Sequence, residues 1–486
     1  ANGGTSTEIA TFTIKQFDYA NREVGDENTN PFPSFEGKRI NRVLFFRNRL
    51  AFLAGENVVL CRPGTLGTPD FFSETALTVS ANDPIDISCS SNFPSELFDG
   101  IDINSGLVVF SSNQQFLLSS DDTVLNPDTA KLRSISTFNY NKDIPPISLG
   151  TTVAYMDNSG KFSRFNEMAN IAREGEPNVV NQSQVVPTLI PKNVDLFTNS
   201  RENNLVLIGK TDSDEVQGFR YLNVGDKRQQ SAWFRWKFNN PIKYHFVIND
   251  EYYFLDTDNF LQEVRLVQTE SDPFIIQDNV DYLLHIDNHI PITGGTFNHN
   301  DNKTTFTGNS WIPLVTTPSY DLVAIDTNTA STRVGRYAKA TIQNNTEFTL
   351  PGDWSGAAIF VGYLYEYKVL FPTFYLTQTQ GESARADVNS SLVIHRMKLH
   401  FGKIGLYETT LSRVGKNDYT EVYESTELDE YDVSDAPYIE EFIKTIPVYE
   451  RNTNVDITLK SQHPAPSTLR AVSWEGDFSP KYYKRV

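Results

Sequence analysis

The stretch "RINRVLFFRNRLAFLAGENVVLCRPG" (39–64) decides the fold class, because it contains two runs of large apolar residues joined by a short polar segment. Apolar side chains interspersed with polar ones over such short runs are typical of half-buried β-strands. We interpret the stretch as one antiparallel hairpin with "AGEN" (54–57) as its turn. The residues expected to supply its core are Phe45, Phe46, Leu50, Phe52 and Leu53.

The composition indicates a mostly β protein with an acidic surface. The 486 residues include 33 Phe and 22 Tyr but only 3 Met, and aromatic residues favour pleated, half-buried surfaces. Cys61 and Cys89 are too few for a disulfide scaffold, so we expect reduced, apolar side chains. The 42 basic and 61 acidic residues give a net charge of -19, which opposes tight binding to DNA phosphates.

The start of the chain and its apolar runs bear on targeting and membrane insertion. The first residues, "ANGGTSTEIA", lack an initiator methionine and predict a processed or incomplete N-terminus. No signal peptide follows, and no apolar run reaches the roughly 18 residues that a membrane-spanning helix needs. Residues 1–36 are polar and interrupted by "GDENTNPFP", so we predict an N-terminal arm or linker.

Further hairpins follow the opening stretch through the first half of the chain. The patterns that indicate them lie at 106–120, 151–165, 203–224 and 244–267. Small antiparallel sheets repeated in this way predict a β-propeller-like region over 37–267. An array of β-sandwiches is the alternative.

The predicted strand lengths and turn spacing change after Val267. Shorter strands separated by polar turns predict a small β-sandwich or barrel domain over 268–370. A long alternating ribbon at 390–414 predicts a C-terminal β-rich domain, 371–486, that packs back on the propeller, with one short helix near 436–445. The predicted fold class is therefore mostly β, with β-propeller-like repeats followed by β-sandwich or barrel-type domains.

Two groups of residues resemble parts of catalytic or metal sites. Asp83 and Asp86 in "NDPIDIS" offer the paired carboxyls of a glycosidase, but aspartates in such a setting more often cap turns. His285, Asp287 and His289 share one face of a predicted strand, and no further metal ligand can be identified. We favour structural roles for both groups and predict neither a metal nor a cofactor.

An acidic pair in "DTDNF" (256–260) is similar to the start of a calcium-binding loop. The loop pattern needs a glycine at its sixth position, and this stretch lacks it. We therefore interpret the stretch as a turn.

Arginine and tryptophan side chains are the candidate contact residues. Arg47 and Arg49 are two residues apart, so on one strand they would share a face and bridge neighbouring strands or subunits. In "GDKRQQSAWFRWKF" (225–238), Trp233 and Trp236 flank Arg235 and should point to opposite faces, into the core and towards an inter-blade or inter-subunit contact. The alternative is a sugar-stacking or cation–π surface.

These strings together resemble a known family. The opening stretch, "NDPIDIS", "FSSNQQFLLS", "GDKRQQSAWFRWKF" and "VSWEGDFSPKYYKR" occur in the order found in the nozzle proteins (tail tubular protein B) of T7-like short-tailed bacteriophages. The resemblance runs from Arg39 to Val486, and family members are commonly longer at the N-terminus. It implies a non-enzymatic virion tail protein, made in the bacterial host cytoplasm, with β-propeller domains.

The resemblance also implies partners. It places a homohexameric tube below an adaptor ring (tail tubular protein A), near the tail fibres, with viral DNA passing through without specific binding. We expect acidic loops to line the lumen, at "TDSDE" (211–215), which contains Asp212, Asp214 and Glu215, and at "STELDEYD" (425–432). The alternative for the charge is that it only keeps a large oligomer soluble.

Two other function classes remain open from the sequence. The first is a propeller-type polysaccharide-binding protein or glycoside hydrolase, with Asp83, Asp86, Trp233 and Trp236 as contacts. The second is a fibre-type adhesion module, which would more often be trimeric.

Overall fold

Antiparallel β-strands make up nearly all of the regular structure, so the predicted mostly-β class is confirmed. The computed structural model describes residues 13–16, 18–65, 67–91, 93–120, 124–172, 175–224, 227–269, 272–277, 279–307, 320–328, 331, 334–344, 346–380, 383–388, 390–423 and 438–480. Contacts divide the chain into two units, Ala1–Val267 and Gln268–Val486. In the described residues, no helix has the length and apolar character needed to cross a membrane.

The first unit consists of four sheets in which each strand pairs with the next one along the chain. Sheet A contains β1 to β4, sheet B β5 to β8, sheet C β9 to β12 and sheet D β13 to β18. The strands are β1 (Ile40–Phe46), β2 (Arg49–Ala54), β3 (Asn57–Leu60), β4 (Ile85–Ser88), β5 (Leu97–Ile103), β6 (Gly106–Ser111), β7 (Gln115–Ser120), β8 (Ala130–Ser136), β9 (Ile147–Ser148), β10 (Val153–Ser159), β11 (Phe162–Ala169), β12 (Asn178–Asn181), β13 (Leu196–Ser200), β14 (Leu205–Gly209), β15 (Ser213–Val224), β16 (Lys227–Ile248), β17 (Glu251–Asp256) and β18 (Leu261–Arg265). A 3-10 helix, Gln182–Val185, follows β12.

Successive sheets share hydrophobic cores. Buried side chains join sheet A to sheet B, sheet B to sheet C and sheet C to sheet D, and Leu53, Phe110 and Phe165 are examples from the three cores. The first strands of the sheets are also neighbours, since β1 contacts β5, β5 contacts β9 and β9 contacts β13. Consecutive propeller blades would pack in this way. No core cluster of the described residues joins sheet A to sheet D, so a closed propeller stays a prediction.

The four later hairpins form as the sequence predicted, but the opening stretch differs. It makes three strands, because Arg47 and Asn48 adopt left-handed backbone conformations (φ 46° and 62°) and turn the chain between β1 and β2. "AGEN" is the second turn, between β2 and β3. The extra turn also changes the core: Phe46, Phe52 and Leu53 are buried, whereas Phe45 is 55% exposed.

The segment at 18–36 is mostly exposed, so the arm or linker stays a prediction, but several of its side chains contact the rest of the first unit. Asn30 is buried and its side-chain amide donates to the carbonyls of Val24 and Ser73. Phe35 meets Phe52 and Phe71 edge to face, with ring centroids 5.1 and 5.0 Å apart. Side-chain hydrogen bonds and aromatic contacts hold this segment although it contains no strand. Cys61 and Cys89 are free and buried, as predicted.

The second unit contains six smaller sheets. Its strands are β19 (Phe274–Gln277), β20 (Val280–Leu283), β21 (Asp287–Ile292), β22 (Thr296–Asn298), β23 (Lys303–Thr307), β24 (Leu322–Asp326), β25 (Tyr337–Lys339), β26 (Thr341–Asn344), β27 (Glu347–Pro351), β28 (Ile359–Tyr363), β29 (Tyr367–Leu370), β30 (Thr377–Gln380), β31 (Ser383–Ala386), β32 (Ser391–Ile404), β33 (Tyr407–Arg413), β34 (Tyr419–Tyr423), β35 (Phe442–Arg451), β36 (Val455–Ser461) and β37 (Ser467–Ser479). A 3-10 helix, Asn452–Asn454, lies between β35 and β36.

Four of these sheets form two sandwiches. Sheet F (β21-β28-β24-β25) and sheet G (β22-β23-β27-β26) enclose one core, which includes Phe306 and Phe348. Sheet H (β29-β36-β33-β34) and sheet J (β35-β32-β37) enclose another, which includes Met397 and Leu459. Sheets E (β19-β20) and I (β30-β31) each consist of one two-stranded hairpin. Since β29 pairs with β36, the second sandwich already begins at Tyr367.

The helix predicted near 436–445 is wrong. Residues from Phe442 onward belong to β35, where Ile446 and Val448 are buried and their neighbours Thr445, Pro447 and Tyr449 are exposed. Pro447 lies in this edge strand and cannot donate the hydrogen bond that a helix interior requires. The alternation of buried and exposed residues therefore outweighs the short acidic stretch that suggested a helix.

Candidate functional site

The ribbon formed by β15 and β16 carries most of the candidate contact residues. Its register places Phe219 opposite Trp233 and Val216 opposite Trp236. The pairing of β15 with β14 ends at Arg220. The tip of the ribbon, where β15 ends and β16 begins, therefore extends beyond β14. The two faces of the ribbon therefore enter different surroundings.

Both tryptophans of the ribbon are packed, on opposite faces. The indole of Trp233 contacts the rings of Phe165 and Phe219, at centroid distances of 5.7 and 4.7 Å, and its Nε1 donates to the carbonyl oxygen of Gln182 at 3.2 Å. Trp236 packs against Tyr252 on the other face, 5.8 Å between ring centroids. Their indole faces are engaged within the unit, which argues against a sugar-stacking surface.

The acidic residues at the start of β15 lie close to basic residues of β16. The guanidinium of Arg235 is 3.2 Å from the carboxylate of Glu215, and the Lys237 ammonium is 3.6 Å from that of Asp214. Asp212 is exposed in the preceding turn, with φ 63°. The charge of this loop is thus partly balanced locally. The other predicted lumen loop, 425–432, lies outside the described residues.

A paired arginine and carboxylate join sheet C to sheet D at the tip of the ribbon. Glu167 of β11 is buried, and its carboxylate accepts two hydrogen bonds from Arg228 of β16, at 2.5 and 2.9 Å. The hydroxyl of Thr152 and the amide of Gln182 also donate to it. The Arg228 guanidinium lies 4.8 Å from the ring centroid of Tyr221. Such bidentate, charge-assisted pairs fix the relative orientation of the elements they connect.

Two more buried carboxylates meet partly exposed arginines. Asp99 of sheet B lies 3.2 Å from Arg42 of sheet A, and burial raises the pKa of Asp99 while Arg42 opposes that rise. Within sheet C, Asp157 accepts from Arg164 at 2.5 Å. The first pair, like the Glu167–Arg228 pair, crosses a sheet junction. We refer to these two cross-sheet pairs as the inter-sheet anchors.

Arg49 differs from the inter-sheet anchors, because its cation is buried among backbone carbonyls rather than beside a carboxylate. The side chain is 2% exposed, and its guanidinium donates to four carbonyl oxygens: Cys61 at 2.9 Å, Ala81 at 3.2 Å, Asp83 at 2.7 Å and Leu125 at 3.4 Å. Burial lowers the pKa of Arg49. The prediction that Arg47 and Arg49 share a strand face is wrong, since Arg47 lies in the exposed turn.

The two aspartates of "NDPIDIS" cap backbone and bind side chains. Asp83 accepts from the backbone N–H of Ser80 at 2.8 Å. The carboxylate of Asp86 accepts from the hydroxyl and backbone N–H of Ser34, both at 2.7 Å, and from the amide of Asn57 at 2.9 Å. These bonds use the carboxylates structurally and leave no pair directed at a common substrate position.

The histidine group and the acidic turn are likewise structural. The β21 strand begins at Asp287, the backbone of His285 donates to the Pro464 carbonyl and the His289 ring lies 3.3 Å from the Ile286 carbonyl. In 256–260, buried Asp256 accepts from the backbone N–H of Phe260 at 2.8 Å, as in a turn. Across the described ranges, no three His, Cys, Asp or Glu side chains cluster as metal ligands would.

A small cavity lies in the second unit. Its volume is about 160 Å³, and part of its charged lining is paired. Lys339 contacts Asp321 at 2.6 Å, and the hydroxyl of Tyr337 lies 2.5 Å from His463. Ligand sites usually measure roughly 300 to 1,000 Å³, so this cavity has room for waters rather than a substrate.

These arrangements define a structural β protein whose buried charges hold sheets and loops together. A family model described as bacteriophage nozzle protein matches residues 5–485, and the chain belongs to this family. Tail tubular protein gp12 of Escherichia phage T7 is 24% identical over 419 residues, which are 84% of this chain and 51% of the phage T7 protein. The chain thus spans about half the length of that curated relative.

Solved structures resemble the chain only weakly. BamB from Moraxella catarrhalis is 12% identical, with 47% of this chain and 58% of that chain covered and a TM-score of 0.28. Hsv2p from Kluyveromyces lactis is 11% identical, with 55% and 79% covered and a TM-score of 0.30. Values this low carry no argument about the fold. The family assignment makes the chain a structural component of a phage tail, in a family that is not one of enzymes.

The anchors were not predicted from the sequence. Glu167 lies at the end of an ordinary predicted hairpin, and Arg228 is one residue of the stretch 225–238 with no feature of its own. Their partnership spans 61 residues and depends on how sheets C and D pack. One signal in the sequence could have identified Arg228: it lies close to a run of aromatic residues.

Proposed function

We propose that the chain forms the hexameric nozzle of a short-tailed phage, a tube below the adaptor ring and close to the tail fibres. The observation that carries the proposal is the family match over nearly the whole chain, with a tail tubular protein as a relative. Synthesis in the bacterial host cytoplasm precedes assembly into the tail. The sheets, joined by buried ion pairs, suit a part that must keep its shape during particle assembly.

The nozzle retains viral DNA and then conducts it during ejection, without base-specific binding. A net charge of -19 on each copy supports this, since a basic lumen would hold the DNA backbone through its phosphates. Asp212, Asp214 and Glu215 are our candidates for the lumen surface. Arg235 and Lys237 balance two of these acids locally, which gives the loop a weak rather than a strong field.

Opening of the tube is a shift between closed and open rings. Contact with tail fibres after host binding favours the open ring, because a ligand shifts such an equilibrium only when it binds one state better. The inter-sheet anchors join neighbouring sheets of the first unit, so we place the change between copies rather than between those sheets.

Charge variants of the loop test its place in the lumen. The substitutions Asp212→Lys, Asp214→Lys and Glu215→Lys are introduced together into phage particles, and the rate of DNA release after receptor addition is measured at low and high salt. We expect slower release at low salt and recovery at high salt, because salt weakens contacts to phosphate. The matched control, Asp212→Asn, Asp214→Asn and Glu215→Gln, removes the same ion pairs without adding positive charge. Equal release from all three particles would contradict the lumen assignment.

A further inference from the structure

The first strand of sheet A presents a basic and apolar surface. Residues 38–49 contain five basic side chains and no acidic one. Arg49 is buried, and the other four, Lys38, Arg39, Arg42 and Arg47, are exposed, although Arg42 also contacts Asp99 of the same chain at 3.2 Å. Val43 and Phe45, between them on β1, are each 55% exposed. We call the exposed side chains of 38–47 the basic strip.

The last strands of sheet D present the opposite charge. Residues 249–265 contain five acidic side chains and one basic one, Arg265, which contacts Glu263 at 3.1 Å. Asp256 is buried, whereas the carboxylates of Asp250, Glu251, Asp258 and Glu263 keep partial or full exposure. The chain therefore carries one concentrated basic segment although its net charge is negative. The acidic segment offers charges of the opposite sign.

An apolar surface accompanies these acids. The register of β16, β17 and β18 places six apolar or aromatic side chains on one face: Tyr244, Phe246, Ile248, Tyr253, Leu255 and Leu261. Tyr244, Ile248 and Leu261 are 58%, 53% and 60% exposed. We call this surface, with its acids, the acidic face. Large apolar side chains grouped on one exposed face usually mark an interaction surface.

The two surfaces belong to the first and last sheets of the first unit. Within the described residues, β1 pairs with β2 alone and β18 with β17 alone, so both are edge strands. The exposure of Phe45 and Leu261 shows that the two surfaces do not cover each other within one chain. Each is therefore available to another molecule.

We propose that the basic strip of one copy binds the acidic face of the next copy. The opposite charges select the partner, and the apolar side chains at the centre become buried. A contact between two different surfaces of the same chain repeats head to tail and gives a ring when the rotation between copies closes, whereas a twofold dimer needs one self-complementary surface. This inference rests on the proposed ring and assigns its subunit contact.

Paired charge reversals test the contact. One variant carries Lys38→Glu and Arg39→Glu, and the other carries Asp258→Lys and Glu263→Lys. Alone, each variant places like charges against each other, and we expect at least ~100-fold weaker association by native mass spectrometry and sedimentation. Mixed in equal amounts, the two variants restore opposite charges at every contact of an even-membered ring, and we expect rings of alternating composition.

Cross-linking gives a second readout that does not require stable rings. A Phe45→Cys chain is mixed with a Leu261→Cys chain under mild oxidation, and we expect a disulfide-linked heterodimer. Leu261→Cys mixed with Val414→Cys is the control, since Val414 is 75% exposed and lies in neither surface. The native cysteines are buried and should not react.

The outcomes separate this inference from the proposed function. Rings that form normally from each reversed variant alone, or a mixture that stays dissociated, would overturn the contact while leaving the ring intact as a proposal. A wild-type chain that does not assemble, alone or with tail proteins, would overturn the ring itself. Alternating rings together with the specific disulfide would establish the contact.

Discussion

Arg228 on sheet D and Glu167 on sheet C are joined by two hydrogen bonds, of 2.5 and 2.9 Å, although 61 residues separate them. Glu167 is 5% exposed, and Thr152 and Gln182 donate further hydrogen bonds to it. The packing of two sheets thus depends on one buried carboxylate that has four donors. Loss of either partner leaves the other buried without its opposite charge.

A double-mutant cycle on this pair should show strong coupling. We expect Glu167→Gln and Arg228→Met each to lower the free energy of unfolding by about 3 kcal/mol, and the double variant to lower it by much less than the sum. Denaturant titration measures the three changes. The exposed Glu215–Arg235 pair is the control, with an expected coupling below about 1 kcal/mol. Equal coupling for the two pairs would show that burial of Glu167 does not matter.

Arg49 should be essential for the stability of the first unit. Arg49→Met removes the donor of four carbonyl oxygens, three of them in buried hydrogen bonds, and we expect a loss of about 3 kcal/mol in the free energy of unfolding. Arg47→Met, in the exposed turn two residues earlier, should change it by less than about 0.5 kcal/mol. Thermal and denaturant unfolding of both variants would decide, and a similar loss for both would remove the case for a buried anchor.

His245 should make the first unit less stable in mild acid. Burial lowers its pKa to about 4, its Nδ1 lies 3.0 Å from the Tyr252 hydroxyl and its Nε2 is buried without a hydrogen-bond partner. The unfolded chain binds this proton near pH 6.5, whereas the folded chain resists protonation until about pH 4. Stability from this group is therefore complete above pH 6.5 and is lost as the pH falls towards 4, by about 3 kcal/mol in total.

The contribution of His245 to the pH dependence of stability can be separated from that of the carboxylates, which titrate in a similar pH range. His245→Gln keeps a side chain that can bond to Tyr252 but does not titrate in this range. The difference in unfolding free energy between wild type and this variant should shrink from pH 7 to pH 4, because only the wild type loses stability through this group. A difference that stays constant across the range would contradict the role of His245.

Much of the strand pattern could be predicted because alternation and polar turns are local properties. The hairpins of sheets B, C and D follow from this. The turn at Arg47 and Asn48 could not, since glycine usually occupies such left-handed positions and neither residue is glycine. That one turn moves Arg49 to the start of a new strand, where it is buried, and leaves Phe45 exposed.

The charged contacts depend on distant parts of the chain. The alternation of faces at Trp233 and Trp236 is a local consequence of strand geometry, and the structure places the indoles accordingly. The partners of Arg49 and Arg228 come from segments up to 76 and 61 residues away. Nothing local distinguishes these arginines from exposed ones, so their burial emerges only when the sheets are packed.

Native mass spectrometry of the wild-type chain, alone and mixed with the tail adaptor ring, counts the copies in the proposed nozzle. We expect a complex of six copies, formed by the chain itself or on the adaptor, because a nozzle must continue the tube above it. A chain that stays monomeric in the presence of the adaptor, or that assembles as a stable trimer, would overturn the proposed six-fold ring.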